Sequence, residues 1–176
     1  MSAPTLSEAT GIAKANILAL ESGRRGSSTA TLERLARALG LTLLAIDLGD
    51  RVTVAEAMAV VKSAVDAGEE EVAWRTFVSV AWMLESEADD ALRVVLAYVA
   101  PAPVGPEWDA AIAGLVEWQL GQRGTPVPGW AREHVRDGEP WAPPAAPAVD
   151  GVVIANVPEA LVRRGIVIDE SELWID

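Results

Sequence analysis

The sequence predicts a mainly α protein: a short helix-turn-helix head, an α-helical bundle after it, and a proline-rich arm that ends in a small α/β tail. Three observations predict it. Apolar residues return at helical spacing in successive segments between Ala3 and Gly121, and glycines or capping residues bound those segments. Charge is split along the 176 residues: residues 1–40 hold Lys14, Arg24, Arg25, Arg34 and Arg37 against Glu8, Glu21 and Glu33, a net of +2, so the rest must carry −14 to reach the total of −12. Beyond Gly124, proline and tryptophan displace helical periodicity. The expected boundaries are 1–48 for the head, 49–142 for an acidic helical domain, and 143–176 for an arm with a short strand, helix and strand.

In the head, Leu6 points the first helix inward and Ser7 is the small residue where two helices cross. Gly11 is the turn, because a steep bend between helices needs a residue free of side-chain clash. Ile12, Ile17 and Leu20 return the second helix to the first. That helix is expected from about Ala13 to Ser22, with Gly23 placed as a C′ cap. Arg24 and Arg25 follow. A third helix opens at Ser28, whose hydroxyl can cap free amides, and carries Leu32, Leu35, Ala36 and Leu39 before Gly40 ends it.

The residues TGIAKANILALESGRR followed by TLERLARALGL resemble the Cro/CI-type (Xre-family, lambda-repressor-like) helix-turn-helix domain. The resemblance implies binding of double-stranded DNA, usually as a homodimer on a palindromic site, with the helix from Ala13 entering the major groove. The family domain has a further helix ahead of this motif, whereas only Met1 and Ser2 precede it here, so a head lacking its first helix is expected. Lys14, Asn16 and Ser22 fall on exposed positions of the second helix. Lys14 and Asn16 are of the types that read guanine and adenine edges. Arg24 and Arg25, in the loop, are expected to position the protein on phosphates.

Residues 41–48, LTLLAIDL, read as a strand or extended connector, and pairing with a second subunit is one way to satisfy its edge. Four helices follow. Thr53 to Glu56 form a capping-box pattern, and Val54, Met58, Val61 and Val65 continue as a stripe to Gly68. Glu69 to about Glu85 carries Trp74, Phe77, Val78, Ala81 and Leu84 on one side with Val80 and Trp82 elsewhere, as a central helix would. Ser86 is the expected cap of a third, with Ala88, Ala91, Leu92, Val95 and Val99 aligned. Trp108, Ile112, Leu115 and Gln119 mark the fourth. The arm should lie over the bundle with Trp130 and Trp141 as anchors, a hinge at Pro143–Pro147, a strand VVIAN, a short helix from Pro158 to Gly165, then IVID and ESELWID.

WDAAIAGLVEW, the Pro126–Trp130 unit and VPEALVRRGIVIDESEL together resemble the C-terminal region of a group of actinobacterial Xre-type regulators, with the signature at Pro158–Asp169. That resemblance implies an antitoxin role toward a co-encoded, basic nucleotidyltransferase-like toxin of the abortive-infection type. The ending is either the contact, through Arg163, Arg164, Asp169, Glu170, Glu172 and Trp174, or only a seal over the bundle. An acidic body suits a basic protein partner and not phosphates.

Enzymatic chemistry has little to work with. His134, the only histidine, sits in the loop-like AREHVRDG and reads as a surface histidine, and without cysteine there is no thiolate metal site. Asp89, Asp90, Asp169, Glu170 and Glu172 read as caps or solvated charge, and no glycine-rich phosphate loop follows a strand. No enzyme activity, cofactor or metal is expected. Nor does any stretch approach the roughly 20 apolar residues of a membrane span or the pattern of a signal peptide, so a cytoplasmic location is expected. Two functions stand: a sequence-specific DNA-binding regulator that is the antitoxin and autorepressor of a toxin pair, or a protein-interaction antitoxin or scaffold that does not bind DNA.

Overall fold

The computed structural model describes residues 1–43, 45–146 and 156–174, which divide into two compact units, Met1–Gly49 and Asp50–Asp176. The first holds α1 (Ala3–Thr10), α2 (Lys14–Glu21) and α3 (Thr29–Ala38). The second holds α4 (Val54–Ala67), α5 (Glu70–Ser86), α6 (Asp90–Tyr98), α7 (Pro106–Gln122), α8 (Gly129–Arg132), α9 (Glu159–Val162) and a 3-10 turn, Glu170–Leu173. The segment from 143 onward, expected as a separate arm, falls within the second unit.

In the first unit the bend between α1 and α2 is fixed by its own side chains. Gly11 ends α1 in the left-handed region at φ 68°, which glycine adopts without a Cβ penalty. The Ser7 hydroxyl donates to the Ile12 carbonyl at 2.6 Å, and Thr10 donates to the Leu6 carbonyl while accepting from the Ile12 N–H. These bonds satisfy backbone groups that the turn leaves over. Ile17, 1% exposed, and Leu6 form the small core. Ser28 caps α3 as expected, but of the apolar positions on that helix only Ala36 is buried, and Leu32 and Leu39 are exposed. The strand expected at 41–48 does not form: its described residues have no strand beside them, and Leu41, Leu43 and Ile46 are exposed.

The second unit is built around α7. Ten of its seventeen residues are buried, on all sides of the helix, so α7 lies more deeply than α5, which leaves Trp82 and Val72 exposed. Gly114 is required there. A Cβ at that position would stand 2.6 Å from Leu161 Cδ2 and 3.0 Å from the Ala160 carbonyl oxygen, so its absence lets α9 pack directly on the α7 backbone. α4 opens with both halves of its capping box, Thr53 accepting from the Glu56 N–H and Glu56 from the Thr53 N–H. The Thr53 N–H and hydroxyl, both donating to the Glu56 carboxylate, hold it below its ordinary value.

α6 departs from expectation. Its cap is Asp89, which accepts from the N–H groups of Ala91 and Leu92, and Ser86 still belongs to α5. Val99 lies past the helix end and is exposed, while the buried face is Leu96, Ala97 and Arg93. Arg93 is buried because its guanidinium has work at the end of α5: it donates to the carbonyls of Leu84 and Glu87 and pairs with Asp90. Carbonyls left over at a helix C-terminus, with their partial negative charge, are good partners for a cation.

The proline-rich segment is fastened at the two expected tryptophans. Trp130 donates from Nε1 to the Ala97 carbonyl at 3.0 Å. Trp141 meets Trp108 edge-on at 5.4 Å, at the end of an aromatic series running through Phe77 to Trp74. The α/β tail is corrected to a mainly coiled ending: among the described residues the tail forms one isolated parallel bridge, Trp141 with Ile166, and no strand. Most of the expected strand at 152–156 lies outside the described residues. Of the expected hinge, residues 143–146 form a turn closed by the Ala146 N–H on the Pro143 carbonyl, with Pro143 buried, and Pro147 lies outside the described residues. Leu161, Ile166, Ile168 and Leu173 are all buried, so this ending seals the unit.

Candidate nucleic-acid interface

α2 is anchored by Ile17, and that fixes which residues it presents. Lys14, Ala15, Asn16 and Leu18 are all exposed: at about 100° per residue Ala15 lies opposite Ile17, Asn16 and Leu18 flank it on either side, and Lys14 opens the helix. Lys14 and Asn16 both belong to the exposed N-terminal turn of α2, on different sides of it. Ser22 lies at the other end, donating to the Ala19 carbonyl and accepting from Arg24 Nε at 2.9 Å. That bond braces the Arg24 side chain along the C-terminus of α2.

Arg25 goes elsewhere. Its Nη1 donates to Asn16 Oδ1 at 3.0 Å, across nine residues of chain, so the guanidinium lies beside the outward face of α2. Sequence reasoning grouped Arg25 with Arg24, but in space it groups with Asn16. The bond also orients the Asn16 amide: Oδ1 is partly occupied and both N–H donors stay free for an acceptor.

Beside this cluster is a cleft of about 610 Å³ between the α1–α2 turn and the start of α3, lined among others by Gly11, Asn16, Arg25, Ser27, Ser28 and Thr31. Ser28 accepts from the Thr31 N–H, and the two hydroxyls lie 3.0 Å apart. Ser27, Ser28 and Thr31 were not singled out as contacts. The signal was present in the capping residue of α3, because a helix N-terminus set beside hydroxyls and an arginine is a surface suited to phosphate oxygens. The unit carries five cations against Glu8, Glu21, Glu33 and Asp47, a net of +1. Residues 1–44 match the Cro/C1-type HTH DNA-binding domain.

That part of the chain is a DNA-binding domain. Such a domain is typical of non-enzymatic regulators. No curated protein and no solved structure matches the chain. No helix among the described residues is long and apolar enough to cross a membrane.

The residues expected to contact a protein partner are divided by the fold. Arg164 is corrected to a structural residue: it is 2% exposed and donates to the carbonyls of Ala160 and Ala131 and to Glu117. Arg163 is exposed and shares the same carboxylate, at 2.6 Å. Burial pushes the Glu117 carboxyl up, but hydrogen bonds and charge from Arg164 and Arg163 outweigh it and hold the group below its ordinary value. Asp169 caps the 3-10 turn, and the Ser171 hydroxyl and N–H hold its carboxyl low. Glu170 is exposed, Glu172 is half-buried, and Trp174 keeps an open side while lying 5.9 Å from Trp118.

Proposed function

We propose that the chain is a sequence-specific, Xre-type transcriptional regulator that binds double-stranded DNA as a homodimer. α2 enters the major groove with Lys14, Asn16 and Arg25 toward base edges, and Ser22 and Arg24 meet the backbone. The observation that carries this reading is the convergence of Arg25 on Asn16 in a matched DNA-binding domain. The paired donors of arginine suit the guanine edge, and the donor and acceptor of asparagine suit the adenine edge. One helix reads only a few base pairs, and two copies about 34 Å apart supply useful specificity. The exposed Leu32, Leu39, Leu41, Leu43 and Ile46 give the first unit apolar surface for such pairing.

The acidic second unit holds a basic protein, in our reading a co-encoded nucleotidyltransferase-like toxin, which makes the chain an antitoxin and autorepressor. Arg163, Glu170, Glu172 and Trp174 are the residues of its ending left accessible for that contact. A second reading, a protein-interaction antitoxin or scaffold that does not bind DNA, is favoured by one observation: Leu18 stands exposed on the outward side of α2, where an apolar partner would suit it as well as a thymine methyl does.

Titration of the full chain with a random-sequence duplex over a salt series tests the two. DNA binding gives an affinity that falls with salt, and Arg24→Ala flattens the slope by about one unit on every sequence. Absence of any salt-dependent binding at millimolar protein favours the scaffold.

A further inference from the structure

The second unit carries an open groove of about 670 Å³ that DNA reading does not use. Val80 and Leu96 form its buried floor, and Val52, Val60, Trp82 and Met83 stand along its sides. Trp82 is 53% exposed and Val60 50%, although both lie on helices whose opposite faces are fully buried. Exposed tryptophan beside exposed valines, in a concavity, is the type of surface at which a few side chains dominate binding energy. One end is closed by Asp50 and by the Arg51–Glu87 ion pair at 2.7 Å, at the point where the chain enters this unit.

Two properties of the groove specify an occupant. Its wall follows α5 from Thr76 to Ser86, which at helical rise is about 15 Å, the length of about three helical turns. At the groove itself Asp50 is the lining charge left beside the Arg51–Glu87 pair, and the unit that carries the groove is acidic as a whole. Of the chain's 14 basic and 26 acidic residues, five and four belong to the first unit, leaving nine and 22 in the second, a net of −13. Eight of those nine basic side chains already pair with carboxylates, and the ninth, Arg132, donates to the Val127 carbonyl. The cations that complement this surface have to come from a partner.

We propose that the groove seats an amphipathic helix of a basic protein, with its apolar side over Val60, Trp82 and Met83 and its lysines or arginines toward Asp50 and the other carboxylates of this acidic unit. This rests on the reading of the second unit as protein-binding and is independent of the DNA reading. It adds the α4–α5 face to the accessible residues of the chain's ending as a contact surface for that partner.

The test uses the full chain and a fluorescein-labelled peptide of about 18 residues, leucine at i, i+3, i+4 and i+7 and lysine elsewhere, beside the same peptide with glutamate for lysine. Fluorescence anisotropy is expected to show the lysine peptide binding at least about tenfold more tightly than the glutamate one. Trp82→Ala and Val60→Asn should each weaken it about tenfold, with unchanged circular dichroism. Val135→Asn, at a site 75% exposed and outside the groove, should change nothing. If Trp82→Ala alters the dichroism, Val60→Asn decides. Equal binding of both peptides, or no binding of the lysine peptide, overturns the proposal. Lysine-peptide binding untouched by either variant also overturns it, while leaving the second unit a binder of basic proteins through another surface. Light scattering that shows a dimer dissociated by Trp82→Ala overturns it in favour of a second copy as occupant.

Discussion

In the first unit α2 and α3 each bury one residue, Ile17 and Ala36, and leave Leu18, Leu32 and Leu39 exposed; in the second, α7 alone buries ten. α7 is apolar on all sides and α3 along one stripe, yet even that single stripe stays largely uncovered. What separates them is how many elements are available to cover each stripe. Burial of apolar area is the main favourable contribution to folding, at about 25 cal/mol per Å². A unit with three helices and one fully buried isoleucine therefore has little stability to lose, and its function rests on outward side chains such as Asn16 and Arg25. The second unit is held by a large core, and its ion pairs and caps adjust that core at its edges.

Substitutions can break this comparison or sharpen it. The largest effect on the second unit is expected from Arg164→Ala, which leaves two buried carbonyls and part of Glu117 without a donor. Truncating one partner of a buried pair costs about 3 kcal/mol or more. Thermal denaturation should show that loss in the main transition, while DNA affinity at low temperature stays as it was. Ile17→Ala is next, at about 2–4 kcal/mol, comparable to the whole stability of a unit this small. DNA binding should disappear with the main transition unmoved, and a shift of both together would mean that the units fold as one.

Acid should act on the second unit through Glu117. Its folded-state pKa lies below the unfolded one, so its contribution is present above the ordinary value of 4.5 and is lost as pH falls through the depressed folded value. Denaturant titrations at pH 7 and at about pH 3 should therefore show acid destabilisation that Glu117→Gln reduces. A variant with the same acid sensitivity as the parent would remove the Arg163–Glu117–Arg164 cluster from the account. The smallest effect has the opposite sign. Gln119 is 1% exposed on α7, and among the described residues neither amide atom has a hydrogen-bond partner. Gln119→Leu removes that unmet polarity and should raise the midpoint of the main transition by about 1 kcal/mol equivalent.

Local features were the most legible in the sequence. Gly11 at the bend, the Thr53–Glu56 capping box and Ser28 before α3 depend on a few neighbouring residues, and each stands where the residues indicate. Three things depended on distant parts of the chain and were not legible. Arg93 reads as one more surface cation until the end of α5 is seen to need a donor. For the ending the sequence left two readings open, a partner contact or a seal over the bundle, and only the packing shows Ile166, Ile168 and Leu173 in the core. In the candidate interface, Lys14 and Asn16 could be placed from helical spacing, whereas the partner of Arg25 depended on how the loop after Gly23 turns back.

The central claim is that the first unit reads sequence through the joined Asn16 and Arg25. Selection of binding sites from a random duplex pool, carried out in parallel with the parent chain, Asn16→Ala, Arg25→Ala and the double variant, tests it most directly. The account predicts an enriched motif for the parent, loss of preference at the same base pair in both single variants, and a double variant little worse than either, since contacting residues couple. A parent chain that enriches no motif, or Arg25→Ala weakening all sequences equally with every preference intact, would contradict it.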